Sequence, residues 1–203
     1  MKKYIIILIC NLFLLVAFAQ SIDWSTVKIE GFGMIGLPSS MEIQKGLYKE
    51  IVGNQKIING ISASNVIFQQ RNLNEFDKNS FDTYARVFIK TIKGYNGKFK
   101  KINNSILQAE ADEINNSLKN ELLNSNINVL EWSDAKITKL NNQNTIVCKY
   151  KRKIGNHPPT AVEFYFFQNN DRMHIVHLEF SIDKNNWSNT FEKIKSTIKI
   201  YEM

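Results

Sequence analysis

From residue 27 onward the chain alternates short apolar runs with polar clusters, and the period of each run predicts its conformation. Val27 to Ile58 reads as short extended pieces, because its apolar runs are broken by Gly31, Gly33, Gly36 and Pro38. Pro38 halts any helix and favours an extended Leu37. In Ser64 to Gln70, Val66 and Phe68 fall on one side and Ile67 on the other, a strand with both faces partly covered.

Three stretches follow a helical period. Phe81, Tyr84, Ala85, Phe88, Ile89 and Ile92 recur at steps of three and four, which predicts an amphipathic helix with Asn79 or Ser80 as its cap and Gly94 as its stop. Leu107, Ala111, Ile114, Leu118 and Leu122 predict a second helix over about 107–123. Trp187, Phe191, Ile194 and Ile198 predict a closing helix, capped near Asp183 or Asn185.

Between the last two lies a strand series. Asp134 to Leu140 and Thr145 to Arg152 flank the polar cluster Asn141–Asn144, which suits a hairpin. Ala161 to Gln168 and Met173 to Ile182 are joined through Asn169, Asn170, Asp171 and Arg172. Strands joined this tightly pair antiparallel, and amphipathic helices need a sheet face to cover. The expected fold class is α+β: an antiparallel sheet of about six strands sandwiched by helices. No repeat and no Gly/Ser or Pro-rich linker divides the chain, so residues 20–203 are expected to form one domain.

Residues 1–19 read differently. Lys2 and Lys3 precede an uncharged apolar run, and Ala17-Phe18-Ala19 places small residues at both recognition positions, the pattern of a signal peptide cleaved after Ala19. Cys10 lies inside that run, so it is not placed for lipid attachment. Cleavage would leave Cys148 as the sole cysteine, excluding an internal disulfide in a periplasmic or secreted protein. It would also lower the net charge from +7 to +5, since Lys2 and Lys3 are the only charged residues removed.

The order of elements resembles the PsbP/Mog1-like group. The resemblance rests on the Leu-Pro element Ile35-Gly36-Leu37-Pro38-Ser39-Ser40-Met41, the strand meander from Ile137 to Ile182, and the Ser196-Thr197-Ile198 end of the closing helix. Met41 stands where the group often has Trp. The resemblance implies an antiparallel sheet flanked by helices and a non-catalytic binding or scaffolding role. It transfers no site residue.

Candidate chemistry is sparse. His174 and His177 are three apart on an expected strand and so point to opposite faces, which excludes a shared metal there. His157, beside Pro158 and Pro159, is a loop residue. Glu110, Asp112 and Glu113 suit a helix start. Ile146, Cys148 and Tyr150 share a strand face, making Cys148 a small buried hydrophobe. Gly31, Gly33 and Gly36 precede no helix, and no dinucleotide, phosphate-loop or nucleophile-elbow pattern occurs. Lys149, Lys151 and Lys153 alternate onto one face and form the basic strip that would contact a polyanion, an acidic glycan or a lipid phosphate rather than nucleic acid.

The expected function is therefore an exported, non-enzymatic binding or scaffolding domain without cofactor, not membrane-spanning after cleavage, that meets a protein or envelope component. Two alternatives stay open: an enzyme whose site assembles from residues distant in sequence, and an oligomeric structural protein of the envelope.

Overall fold

In a computed structural model of the protein, the described residues are 23–44, 63–73, 80–93, 108–125, 127–182 and 187–202. The expected signal peptide with Cys10, the extended pieces beyond Gln44, and the expected caps Asn79, Gly94, Asp183 and Asn185 lie outside them. Among the described residues ten strands run in chain order: β1 (Trp24–Ile29), β2 (Gly33–Pro38), β3 (Met41–Ile43), β4 (Ala63–Gln70), β5 (Ala85–Lys93), β6 (Asn128–Leu140), β7 (Gln143–Lys153), β8 (Thr160–Asn169), β9 (Arg172–Ser181) and β10 (Lys199–Ile200). Helix α1 (Gln108–Leu123) precedes β6, and α2 (Trp187–Thr197) precedes β10.

The strands form two antiparallel sheets, ordered β1-β2-β10 and β3-β4-β5-β9-β8-β7-β6. This overturns the expected α+β sandwich of about six strands between helices. The molecule is mostly β, with two α-helices among its described residues.

The main cause is the segment 81–92. It is a short 3-10 turn, Ser80–Thr83, followed by β5 rather than a helix. Val87, Phe88, Ile89, Thr91 and Ile92 are β-branched or aromatic and favour a pleated surface. β5 pairs with β4 on one edge and β9 on the other, and it carries Val87 and Ile89 on the core face and Phe88 and Ile92 on the opposite one. A strand apolar on both faces loses its period of two, and the surviving spacing imitates a helical stripe.

The principal core lies on one face of the large sheet. Val87 and Ile89 of β5, Val176 and Leu178 of β9, and Phe68 of β4 meet Ile35 and Leu37 of β2 and Trp187, Phe191 and Ile194 of α2. Each such side chain, at most 2% exposed at most of these positions, contributes about 1.5–3 kcal/mol through burial. The other face carries a smaller core beneath α1, where Ala111, Ile114 and Leu118 meet Ala135, Ile146, Cys148 and Phe166.

The hairpins form where Asn permits left-handed backbone. Asn141 and Asn142 take φ of 51° and 65° between β6 and β7, and Asn170 takes 59° between β8 and β9. The Asn141 side chain also caps α2, donating from Nδ2 to the carbonyls of Lys195 at 2.7 Å and Ile198 at 2.9 Å.

Candidate ligand-binding cleft

On the α1 side of the large sheet, five rings stand side by side across five strands. Strand register aligns them: Trp132 lies opposite Tyr150, Phe164 opposite His177, and His177 opposite Phe88. The centroids are separated by 5.7 Å (Trp132–Tyr150), 6.3 Å (Tyr150–Phe164), 4.2 Å (Phe164–His177) and 4.7 Å (Phe88–His177). Neighbouring planes lie within 21° of parallel. Cross-strand aromatic pairs of this kind stabilise a sheet.

Helix α1 covers the β6 end of this row. The Ala135 amide, beside an irregularity in β6 between Ser133 and Lys136, donates to Asn115 Oδ1 at 3.1 Å. Lys119 Nζ and Trp132 Nε1 donate to Asp134 Oδ1 at 2.6 and 2.9 Å, and hold its carboxyl below the usual range. Beyond the helix, no described element crosses the face over β4, β5 and β9. The overhang of Leu118 and Glu121 there bounds a cleft of about 300 Å³, floored by Ile67, Phe88, Phe164, Phe166, Ile175 and His177, with Lys90 at its edge. That volume is at the lower end for small-molecule sites.

A polar cluster closes the row beside His177. Glu179, 3% exposed, accepts from the Arg152 guanidinium and from Tyr84 Oη at 3.2 Å. Arg86 lies over the Tyr84 ring, 5.0 Å from its centroid. His177 Nε2 stops 3.8 Å from Glu179 Oε2, outside hydrogen-bond range. Burial pushes the imidazole down to about 3, and the Arg152 charge acts in the same direction. With both ring faces covered by Phe88 and Phe164, neutral His177 acts as one more apolar slat of the floor.

Cys148 shares this face but stands on β7, opposite Phe164, which separates it from His177 in the register. It is fully buried, and burial pushes its thiol up to about 11. That is the setting of an inert structural thiol, as the alternation around it predicts. Among the described residues no group of three His, Cys, Asp or Glu side chains could hold a metal.

Lys149 and Lys151 turn to the opposite face of β7, as expected, and neither is a free cation. Lys149 pairs with Glu163 at 3.1 Å and Lys151 with Glu131 at 2.8 Å, so this strip carries its own counter-charges, while Lys153 is exposed at its end. Glu163 also receives Lys195 Nζ at 3.0 Å and the Tyr165 hydroxyl. Burial alone would raise the Glu163 carboxyl; the Tyr165 hydrogen bond and the charges of Lys195 and Lys149 outweigh it and hold it below the usual range.

His174 lies on the face away from His177, as a strand requires. It is sealed in the core with Nδ1 2.9 Å from Thr91 Oγ1 and Nε2 3.1 Å from Asn169 Nδ2. His157 sits 3.4 Å from Asp82 in the connection before β8. Asp112 accepts from Gln108 at the start of α1. A second hollow, of about 410 Å³, lies past the end of α1 among Leu122, Leu123, Val129 and Trp132. It lacks an enclosing wall, with Leu123 82% exposed.

Sequence reasoning missed the cleft because it placed Phe88 on a helix. The register that brings the rings together, Phe164 opposite His177 and His177 opposite Phe88, cannot be read from the spacing within any one strand.

No family model matches the chain, and no curated protein matches it in sequence. One solved structure similar to it is the crystal structure of a protein from Bacteroides thetaiotaomicron VPI-5482, 8% identical, with a TM-score of 0.48 over 87% of this chain and 48% of that one. This chain therefore spans about half the length of that protein, and a likeness of this degree carries no functional information.

Proposed function

We propose that the protein is an exported binding domain that takes an apolar ligand into the cleft between α1 and the large sheet. The observation that carries the reading is the cleft itself: about 300 Å³ of space whose floor is built from Ile67, Phe88, Phe164, Phe166, Ile175 and an imidazole held neutral. Water in such a space gains few hydrogen bonds, and an apolar ligand releases it. The resemblance to the PsbP/Mog1-like group supports a binding role over a catalytic one. The leading segment supports export, and an N-terminus at or within two residues of Gln20 in the native host is the expected result. No helix among the described residues is long and apolar enough to cross a membrane.

A neutral fluorescent reporter, N-phenyl-1-naphthylamine, tests the reading. Its emission should rise on mixing with the protein, and Ile175→Glu, which places a carboxylate on the floor, should abolish the rise. Leu123→Glu, at the open hollow, should not. Equal brightening in all three proteins would contradict the proposal.

A further inference from the structure

We infer that the cleft holds the apolar tail of an anionic amphiphile, with Lys90 receiving its charged head; the inference rests on the cleft reading above. The first argument is shape. Phe88, His177 and Phe164 stack on one another at 4.7 and 4.2 Å, so their faces are already occupied and no ligand ring can slide between them. What the floor offers is a row of ring edges across β5, β9 and β8, continued by Ile67 on β4. Four adjacent strands span about 14 Å, from a spacing of about 4.8 Å. An extended chain of about ten carbons, together with its head group, approaches that length and lies across the edges.

The second argument is charge. Lys90 is half-buried on the cleft side of β5, two residues from Phe88, and makes no ion pair with any described residue. Among the other lysines and arginines on this sheet, Lys149, Lys151 and Arg152 each meet a carboxylate, and Lys93, Lys136, Lys139 and Lys153 are exposed to water rather than half-buried beside an apolar floor. The acid that lines the cleft, Glu121, is exposed on α1, where water solvates it. A half-buried cation at the edge of an apolar floor selects an anion and disfavours a cationic head of the same shape. Fatty carboxylates and lipid phosphates share this chemistry.

Calorimetric titration of the purified protein with four ten-carbon ligands below their micelle concentrations tests the inference: decanoate, decyl phosphate, decanol and decyltrimethylammonium. The two anions should bind about tenfold more tightly than decanol, the scale of a charge-assisted contact, and the cation most weakly. Lys90→Met should erase the anion preference while leaving decanol affinity in place, and Lys90→Arg should keep the preference. Tighter binding of decyl phosphate identifies a lipid phosphate as the natural source, and tighter binding of decanoate a fatty acid. Decanol binding as well as the anions, or a preference that survives in Lys90→Met, overturns the inference and leaves the apolar cleft standing. Failure of all four ligands overturns both.

Discussion

The Gly36 amide donates a hydrogen bond of 2.7 Å to Thr197 Oγ1, joining β2 to the last turn of α2. The Leu-Pro element and the Ser-Thr-Ile ending of the closing helix, the two short motifs at opposite ends of the sequence, thus meet in one contact. Thr197 Oγ1 in turn donates to the Ile194 carbonyl at 2.6 Å. A Cβ at Gly36 would stand 2.8 Å from Thr197 Cγ2 and 3.0 Å from its Oγ1. Gly36→Ala is expected to cost about 1–3 kcal/mol by overpacking. Thr197→Ser, which removes Cγ2 but keeps the hydroxyl, should recover part of that loss in the double variant. Urea unfolding of the four proteins measures the coupling; strictly additive effects would show that the two residues do not clash.

Ion pairs on the α2 side should differ sharply in worth. Lys195 is 5% exposed and bonds Glu163 and Glu192, whereas Lys151 and Glu131 are each about half exposed or more. Lys195→Met leaves a buried carboxylate short of a partner and should cost on the order of 3 kcal/mol. Lys151→Ala should cost less than about 1 kcal/mol. Denaturant midpoints compare them directly, and equal losses would contradict the assigned burial.

Acid should weaken the fold through its histidines. Burial lowers the His174 imidazole to about 4, with Arg172 adding to the effect, and lowers His177 to about 3. In the unfolded chain both titrate near 6.5. As pH falls, the unfolded state binds protons first, so the stability they confer is complete above about pH 6.5. It drains away down to about 4 for His174 and about 3 for His177, then levels off. Each contributes a slope of at most about 1.4 kcal/mol per pH unit. His177→Phe, which keeps a ring between Phe88 and Phe164, should show a shallower loss of stability between pH 6 and 4.5 than the unsubstituted protein. Identical slopes would place His177 in water.

Cys148 supplies a kinetic test of the smaller core. Its side chain is fully buried and its thiol pushed up to about 11, so alkylation by iodoacetamide at pH 8 should be slow until urea is added. Cys148→Ala should cost on the order of 1 kcal/mol. Rapid alkylation of the native protein would mean that α1 does not cover β7.

Much of the strand meander was legible because one property, alternation, was intact in it. The faces of β7, the burial of Cys148 and the opposed His174 and His177 all follow from that period, and the Asn-rich clusters mark the turns. The closing helix was legible from Trp187, Phe191, Ile194 and Ile198. β5 was not, because apolar side chains on both of its faces erase the signal that distinguishes a strand, and it took the fold class and the cleft with it. Partners distant in sequence were equally hidden: nothing local in Lys149 or Lys151 reveals that Glu163 and Glu131 neutralise them across strands.

The most direct test of the cleft is to map where a ligand perturbs the protein. Two-dimensional NMR of the isotope-labelled protein, titrated with decanoate, should move the signals of Phe88, Phe164, Ile175 and His177 together, with Leu118 on the overhanging helix. Shifts confined to Leu122, Leu123 and Val129 would place binding at the open hollow, and unmoved signals at saturating decanoate would contradict a cleft that takes apolar ligands.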